Sequence, residues 1–264
     1  MKLRYYSTLD LNEMEYPGVV SSALFLAGGP IAYGYYLGKK LPEKEIDAET
    51  GLERELFAEA DTRFFYRHFR FLRKQISGVV FSGGEPLKQA NALLELCSWL
   101  KRDGFLIRIN TPGYYAEELR ELLNYVDCVS LDVKTKLDAG EYARAAGFGG
   151  DKALLLSKIL KSITFVENAG WDVRKEFVTT IISGVNDSVE TIEAICKEIS
   201  FADQYVLKQY APEPGNGIPL TPKEKMEELA AAAKKIVRGE VSVQLVDKNA
   251  PGGGNGFAGS DESS

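Results

Sequence analysis

The sequence is short of cysteine, of histidine and of net positive charge, and it has no long apolar run. Each shortage excludes a class of function. Cys97, Cys128 and Cys196 are odd in number and far apart, which suits a reducing compartment and not a disulfide framework. His68 is the single histidine and has no partner motif that would make it a catalytic base. Lys and Arg total 32 against 38 Asp and Glu, a net charge of -6 with a pI near 5.1. That balance argues against broad phosphate binding, so no nucleic-acid partner is expected. No window approaches the roughly 18 apolar residues of a membrane span. The opening MKLRYYSTLD has basic residues but no apolar stretch after them, so no secretory signal is expected and the chain is placed in the cytoplasm.

What is present is enough to build a core: 264 residues, 45% of them hydrophobic. Strand-like runs occur at 19–27, 78–82, 105–109, 127–133, 173–182, 204–210 and 241–246. Helical patterns lie near 53–76 and at 87–104, 116–126, 152–170, 188–199 and 222–240. Strand and helix alternate, which predicts right-handed crossovers and a parallel sheet of six or seven strands. The expected fold class is α/β, a partial or open barrel forming one domain over 1–249. Residues 37–52 are expected to be a loop insertion and 250–264 a flexible Gly- and Ser-rich tail.

In such folds the loops after the strands carry the site. The stretch FSGGEPLKQ places Gly83, Gly84 and Glu85 at a strand end. The glycines either let a ligand approach the backbone or simply make a tight turn. Asp132 and Lys134 alternate along a strand and share a face, as a structural ion pair or as a ligand clamp. The segment 61–74 carries Phe65, Phe69 and Leu72 on one side and Arg63, Arg67, Arg70 and Lys74 on the other. That pattern fits a helix with a solvated basic face better than a docking surface.

Taken in order, YPGVVSSALFLAG, FSGGEP, NTPG, VDCVSLDVK and EFVTTIISGVND resemble the motifs of the radical S-adenosylmethionine superfamily. The similarity is strongest to the short activating enzymes for glycyl-radical proteins such as anaerobic ribonucleotide reductase, and it covers roughly residues 3–246. It implies S-adenosylmethionine as cofactor, with Tyr35, Gly83, Gly84, Glu85, Thr111, Asp132 and Lys134 around it. Asp132 and Lys134 are the candidate catalytic residues. It also implies a CxxxCxxC loop whose three thiolates hold a [4Fe–4S] cluster, and the corresponding positions here are Gly29, Tyr33 and Tyr36. Glycine offers no donor, and a phenol is a hard oxygen that is mostly protonated at neutral pH. Val178 stands where relatives often place Arg, and Pro112 where they place Asn.

Cys97 and Cys196 sit among leucines and isoleucines as core residues, and Cys128 begins a strand at the end opposite the site. The expectation is therefore a degenerate member of the group that has no metal site and no radical chemistry. Such a protein would bind a small molecule, or serve as partner or regulator of an intact radical enzyme or a glycyl-radical protein. The alternatives are a cluster-independent enzyme using S-adenosylmethionine or another ligand in the barrel mouth, and an altered form of an active activating enzyme.

Overall fold

The computed structural model describes residues 1–31, 44–46, 53–55, 57–212 and 217–246. The chain opens with β1 (Lys2–Asn12), followed by β2 (Ser21–Leu26), β3 (Lys44–Ile46), β4 (Glu53–Glu55) and β5 (Ala58–Asp61). Then come α1 (Thr62–Phe71), β6 (Gly78–Gly83), α2 (Ala90–Arg102), β7 (Leu106–Thr111), α3 (Ala116–Leu122) and β8 (Cys128–Asp132). The remainder is α4 (Ala139–Ala145), α5 (Lys152–Glu167), β9 (Arg174–Ile181), α6 (Val189–Glu198), β10 (Gln204–Gln209), α7 (Lys223–Ala233) and β11 (Glu240–Gln244).

Nine strands form one sheet in the order β11-β10-β9-β8-β7-β6-β2-β1-β5. The seven from β11 to β2 are mutually parallel, as the strand–helix alternation predicts. β1 runs antiparallel to both β2 and β5. The sheet is open, with β11 and β5 as its edges.

The sequence reading needs three corrections. β1 was not expected, because its side chains are mostly half-buried or exposed and give no apolar run. The helix expected near 53–76 spans only 62–71, continued by a 3-10 turn at Leu72–Lys74. Residues 58–61 instead pair with Lys2–Tyr5, and the Asp61 carboxylate, accepting from the Arg63 amide, starts the helix there. The short helix α4 was also missed; Asp138 caps it through the amides of Gly140 and Glu141. Of the expected insertion, residues 44–46 pair with 53–55; residues 37–43, 47–52 and the tail lie outside the described residues.

Strand alternation splits the sheet into two faces. Val79, Phe81, Ile107, Ile109, Val129, Leu131 and Phe177 are buried against the helices and share one cluster with Leu93, Leu96, Leu100 and Ile159. Each such side chain contributes about 1.5–3 kcal/mol of burial free energy. The concave face is different: Ser82, Arg108, Asn110, Ser130, Asp132 and Glu176 point into it. Near its lower end Tyr16, from the β1–β2 connection, packs with Ala23, Val80 and Cys128.

Candidate functional site

The loops after β2 and β6 are pressed together. Gly83 has φ +107, and a Cβ there would lie 2.4 Å from the Leu26 carbonyl oxygen. A Cβ on Gly84 would lie 2.2 Å from the Gly28 oxygen. Both glycines are thus required by backbone–backbone packing, as in a tight turn. Gly29 has φ +145, and a Cβ on it would stand 2.9 Å from the Cβ of Glu85.

Glu85 is sealed beneath this contact, at 0% exposure. Its Oε1 accepts from the Leu87 amide at 3.1 Å, capping the 3-10 turn that follows. The Thr111 hydroxyl lies 2.9 Å and 3.1 Å from its two oxygens, and the Gly113 amide donates to that hydroxyl at 3.0 Å. Burial without a cation pushes the Glu85 carboxyl up to about 8. Thr111 and Glu85 thus tie the ends of β6 and β7 together, a contact the sequence did not indicate.

At the end of β8, Lys134 forms an ion pair with Asp132 Oδ2. Lys134 is almost buried at 8%, whereas Asp132 keeps 27% of its side chain open. Asp132 Oδ1 is inaccessible to water yet accepts no hydrogen bond. The backbone around the pair is fixed from three sides. Tyr142 of α4 reaches the Lys134 amide and the Asp132 carbonyl through its hydroxyl. Asn186 donates to the Lys134 and Thr180 carbonyls at 2.8 Å and 2.9 Å and accepts from Ile182. The Thr179 hydroxyl donates to the Val133 carbonyl and accepts from Tyr205.

Deeper on the concave face lies a polar network that sequence reasoning missed. Arg108 grips Glu176 with both terminal nitrogens, the Nη1 contact being 3.0 Å. Ser130 donates to Glu176 at 2.8 Å, and Arg108 Nε donates to Asn110 at 2.9 Å. Asn110 donates in turn to Ser82. The available signal was a polar residue at every second position of otherwise apolar strands: 108 and 110, 130 and 132, 176.

Of the positions assigned to cluster ligands Gly29 is described, whereas Tyr33 and Tyr36, like the cofactor candidate Tyr35, lie outside the described residues. The chain's three cysteines are all described, buried and free. Cys97 and Cys196 lie in the helix-side core, and Cys128 lies on the concave side beside Tyr16. Burial raises all three thiols, Cys128 to about 11 and Cys196 to about 12. Among the described residues no three His, Cys, Asp or Glu side chains converge as a metal site. Among the described residues the three thiols stand apart in α2, β8 and α6, and do not form the set of three thiolates that a [4Fe–4S] cluster takes. The Asp132 side chain, 27% open beside the nearly buried Lys134, is the part of this pair that a ligand can reach. His68 faces Asp10 at 2.8 Å, away from this mouth.

An open sheet of parallel strands with its polar groups gathered on the concave face defines the class as a partial α/β barrel. Residues 53–150 match the family described as "4Fe-4S single cluster domain". A Methanocaldococcus jannaschii protein named as a glycyl-radical enzyme activating enzyme is 29% identical over 245 residues, 90% of this chain and 94% of that one. The pyruvate formate-lyase-activating enzyme of Clostridium pasteurianum is 32% identical over 146 residues, 55% of this chain and 58% of that one. A radical SAM methyltransferase from Sphaerobacter thermophilus superposes with a TM-score of 0.62 at 15% identity, covering 87% of this chain and 67% of that one. Over most of its length the chain is similar to a glycyl-radical enzyme activating enzyme, and its fold is that of radical SAM proteins. The matched family region begins after the 29–36 loop. Among the described residues, no helix is long and apolar enough to cross a membrane.

Proposed function

We propose that this chain is an activating-enzyme barrel without a thiolate-held cluster, which binds a small molecule at its mouth and acts as a partner or regulator instead of starting radicals. One observation carries the reading. The three cysteines occupy buried positions in α2, β8 and α6, and the residue at the first ligand position is a glycine whose side-chain space is taken by Glu85. The sequence meanwhile keeps Glu85, Thr111, Asp132 and Lys134, the residues that the resemblance puts around the cofactor. A relative named as an activating enzyme acts on a glycyl-radical enzyme, so a protein of that type, or an intact activating enzyme, is the proposed partner.

Anaerobic reconstitution with iron and sulfide tests the reading. The expected result is no stable visible charge-transfer band and no stoichiometric iron. About four irons per chain, the content of a family cluster, would overturn it.

A second reading is favoured by the Asp132 side chain, which pairs with Lys134 yet stays 27% open. Here the mouth holds S-adenosylmethionine itself. Asp132 would accept hydrogen bonds from the ligand, Lys134 would hold that carboxylate in place, and the bound sulfonium would supply an electrophilic carbon. Calorimetric titration of the iron-free protein with S-adenosylmethionine separates this from binding of another ligand. Saturable binding supports it, and a flat titration rejects it.

A further inference from the structure

The chain is acidic overall, yet one surface on its outer helix layer is the reverse. Between α1 and α2 lies a pocket of about 480 Å³ lined by Arg63, Tyr66, Arg67, Trp99, Arg102 and Asp103. Tyr66 and Trp99 form its floor, with ring centroids 5.4 Å apart, and both pack on the helix-side core. The only carboxylate among these six is already engaged. Asp103 accepts from the Tyr66 hydroxyl at 3.0 Å and pairs with Arg70 at 3.3 Å.

The guanidiniums divide sharply by what holds them. Arg73 is spent on the Ile76 and Gly104 carbonyls, and neighbouring Lys101 pairs with Asp127. Arg63, Arg67 and Arg102, by contrast, are exposed and form no salt bridge among the described residues; Arg102 reaches only its own helix, at the Ser98 carbonyl. The same helix leaves Phe64 at 48% and Phe71 at 83% exposed, flanking the basic stripe. Exposed aromatics beside arginines that form no salt bridge are the composition of interface cores, where Arg and aromatic residues are enriched.

We propose that this α1–α2 face is a docking surface for an acidic segment of a partner protein. Carboxylates of the segment would meet Arg63, Arg67 and Arg102, and a flat side chain would lie on Tyr66 and Trp99. A carboxylate matches the planar guanidinium fork, and the charge of the face is opposite to that of the rest of the chain. The proposal rests on the partner-binding reading above, but its failure is separable from failure of that reading because iron content is measured independently.

The test is fluorescence anisotropy with a labelled dodecapeptide of alternating Glu and Asp around a central Tyr, at low and high salt. Wild type should bind it and lose it at high salt, while the Arg63→Glu/Arg67→Glu variant should bind at least about tenfold more weakly. Both residues are exposed, so this variant should melt with wild type. Arg238→Glu, an exposed charge reversal on another surface, should leave binding unchanged. No binding by wild type, equal binding by the double variant, or equal weakening in Arg238→Glu would overturn the proposal. So would binding of phosphatidylserine vesicles through this face without binding of the peptide.

Discussion

Arg108 on β7 reaches across β8 to hold Glu176 on β9 with both terminal nitrogens, and both side chains are more than nine-tenths buried. Desolvation lowers the arginine's pKa, but the Glu176 hydrogen bond and the surrounding negative groups together leave it raised. The pair is satisfied on every side: Ser130 and Asn110 supply the remaining hydrogen bonds, and Tyr16 faces the guanidinium at 5.8 Å. Removing one partner should therefore be far worse than removing both. Arg108→Met or Glu176→Leu alone should cost about 3–5 kcal/mol, by leaving a buried charge uncompensated. The double variant should recover most of the loss in urea unfolding. Strict additivity of the two single effects would show that the pair carries no coupling.

The carboxyl of Glu85 gives the fold a pH dependence of defined sign. In the unfolded chain it titrates near 4.5, in the fold near 8, so between these values the native state holds a proton that the unfolded state has lost. Its contribution is complete below about pH 4.5 and is lost as the pH rises towards 8, with a slope of up to about 1.4 kcal/mol per pH unit. Glu85→Gln keeps the acceptor for Leu87 and cannot ionise. Stability measured from pH 5 to 8 should fall less steeply in this variant than in wild type. Parallel curves would remove Glu85 as the source.

The glycines of the β2 and β6 loops should be unequal in a way the structure ranks. Gly84→Ala drives a methyl into the Gly28 carbonyl oxygen and should cost roughly 2–4 kcal/mol, the range of a severe backbone clash. Gly18 also has a positive φ, +80, but a Cβ there meets nothing within 4 Å, so Gly18→Ala should cost only about 1 kcal/mol. Gly29→Cys combines an unfavourable φ with the Glu85 contact and should cost about 1–3 kcal/mol. Thermal melts of the three variants check the order. A neutral Gly29→Cys would mean that the loop accepts a thiol where Gly29 now stands.

The parallel strands and the motif loops could be read from the sequence because alternating apolar runs and turn glycines are local signals. The alternation of 78–82, 105–109 and 127–133 with helical patterns fixed seven parallel strands, and all seven are present. β1 and β5 escaped because β1 pairs with β2 and β5 with β1 through the backbone, on a half-exposed edge where side-chain type says little. In the site, Asp132 and Lys134 were legible from their alternation. The Arg108–Glu176 pair was not, since 68 residues separate partners that only the sheet order brings together. The sealing of Glu85 was equally hidden. It depends on how closely the Gly28–Gly29 turn approaches Gly84, a tertiary distance that no local pattern encodes.

Asp132 and Lys134 offer the sharpest separation of folding from binding. An acceptor that is inaccessible to water and unpaired costs the fold roughly 1–3 kcal/mol, and Asp132 Oδ1 is such an atom. Replacing the pair by apolar residues of similar size, Asp132→Leu with Lys134→Met, removes the orphan and the ion pair together. Buried pairs exchanged in this way are often neutral or stabilising. If the mouth is kept for a ligand, the double variant should melt at or above the wild-type temperature, yet lose the stabilisation that the ligand confers. With S-adenosylmethionine as probe at about 100 times its dissociation constant, wild type should gain about 2.7 kcal/mol and the variant nearly nothing. A variant that is strongly destabilised would instead mark the pair as structural, and an unchanged ligand shift would place the binding site elsewhere.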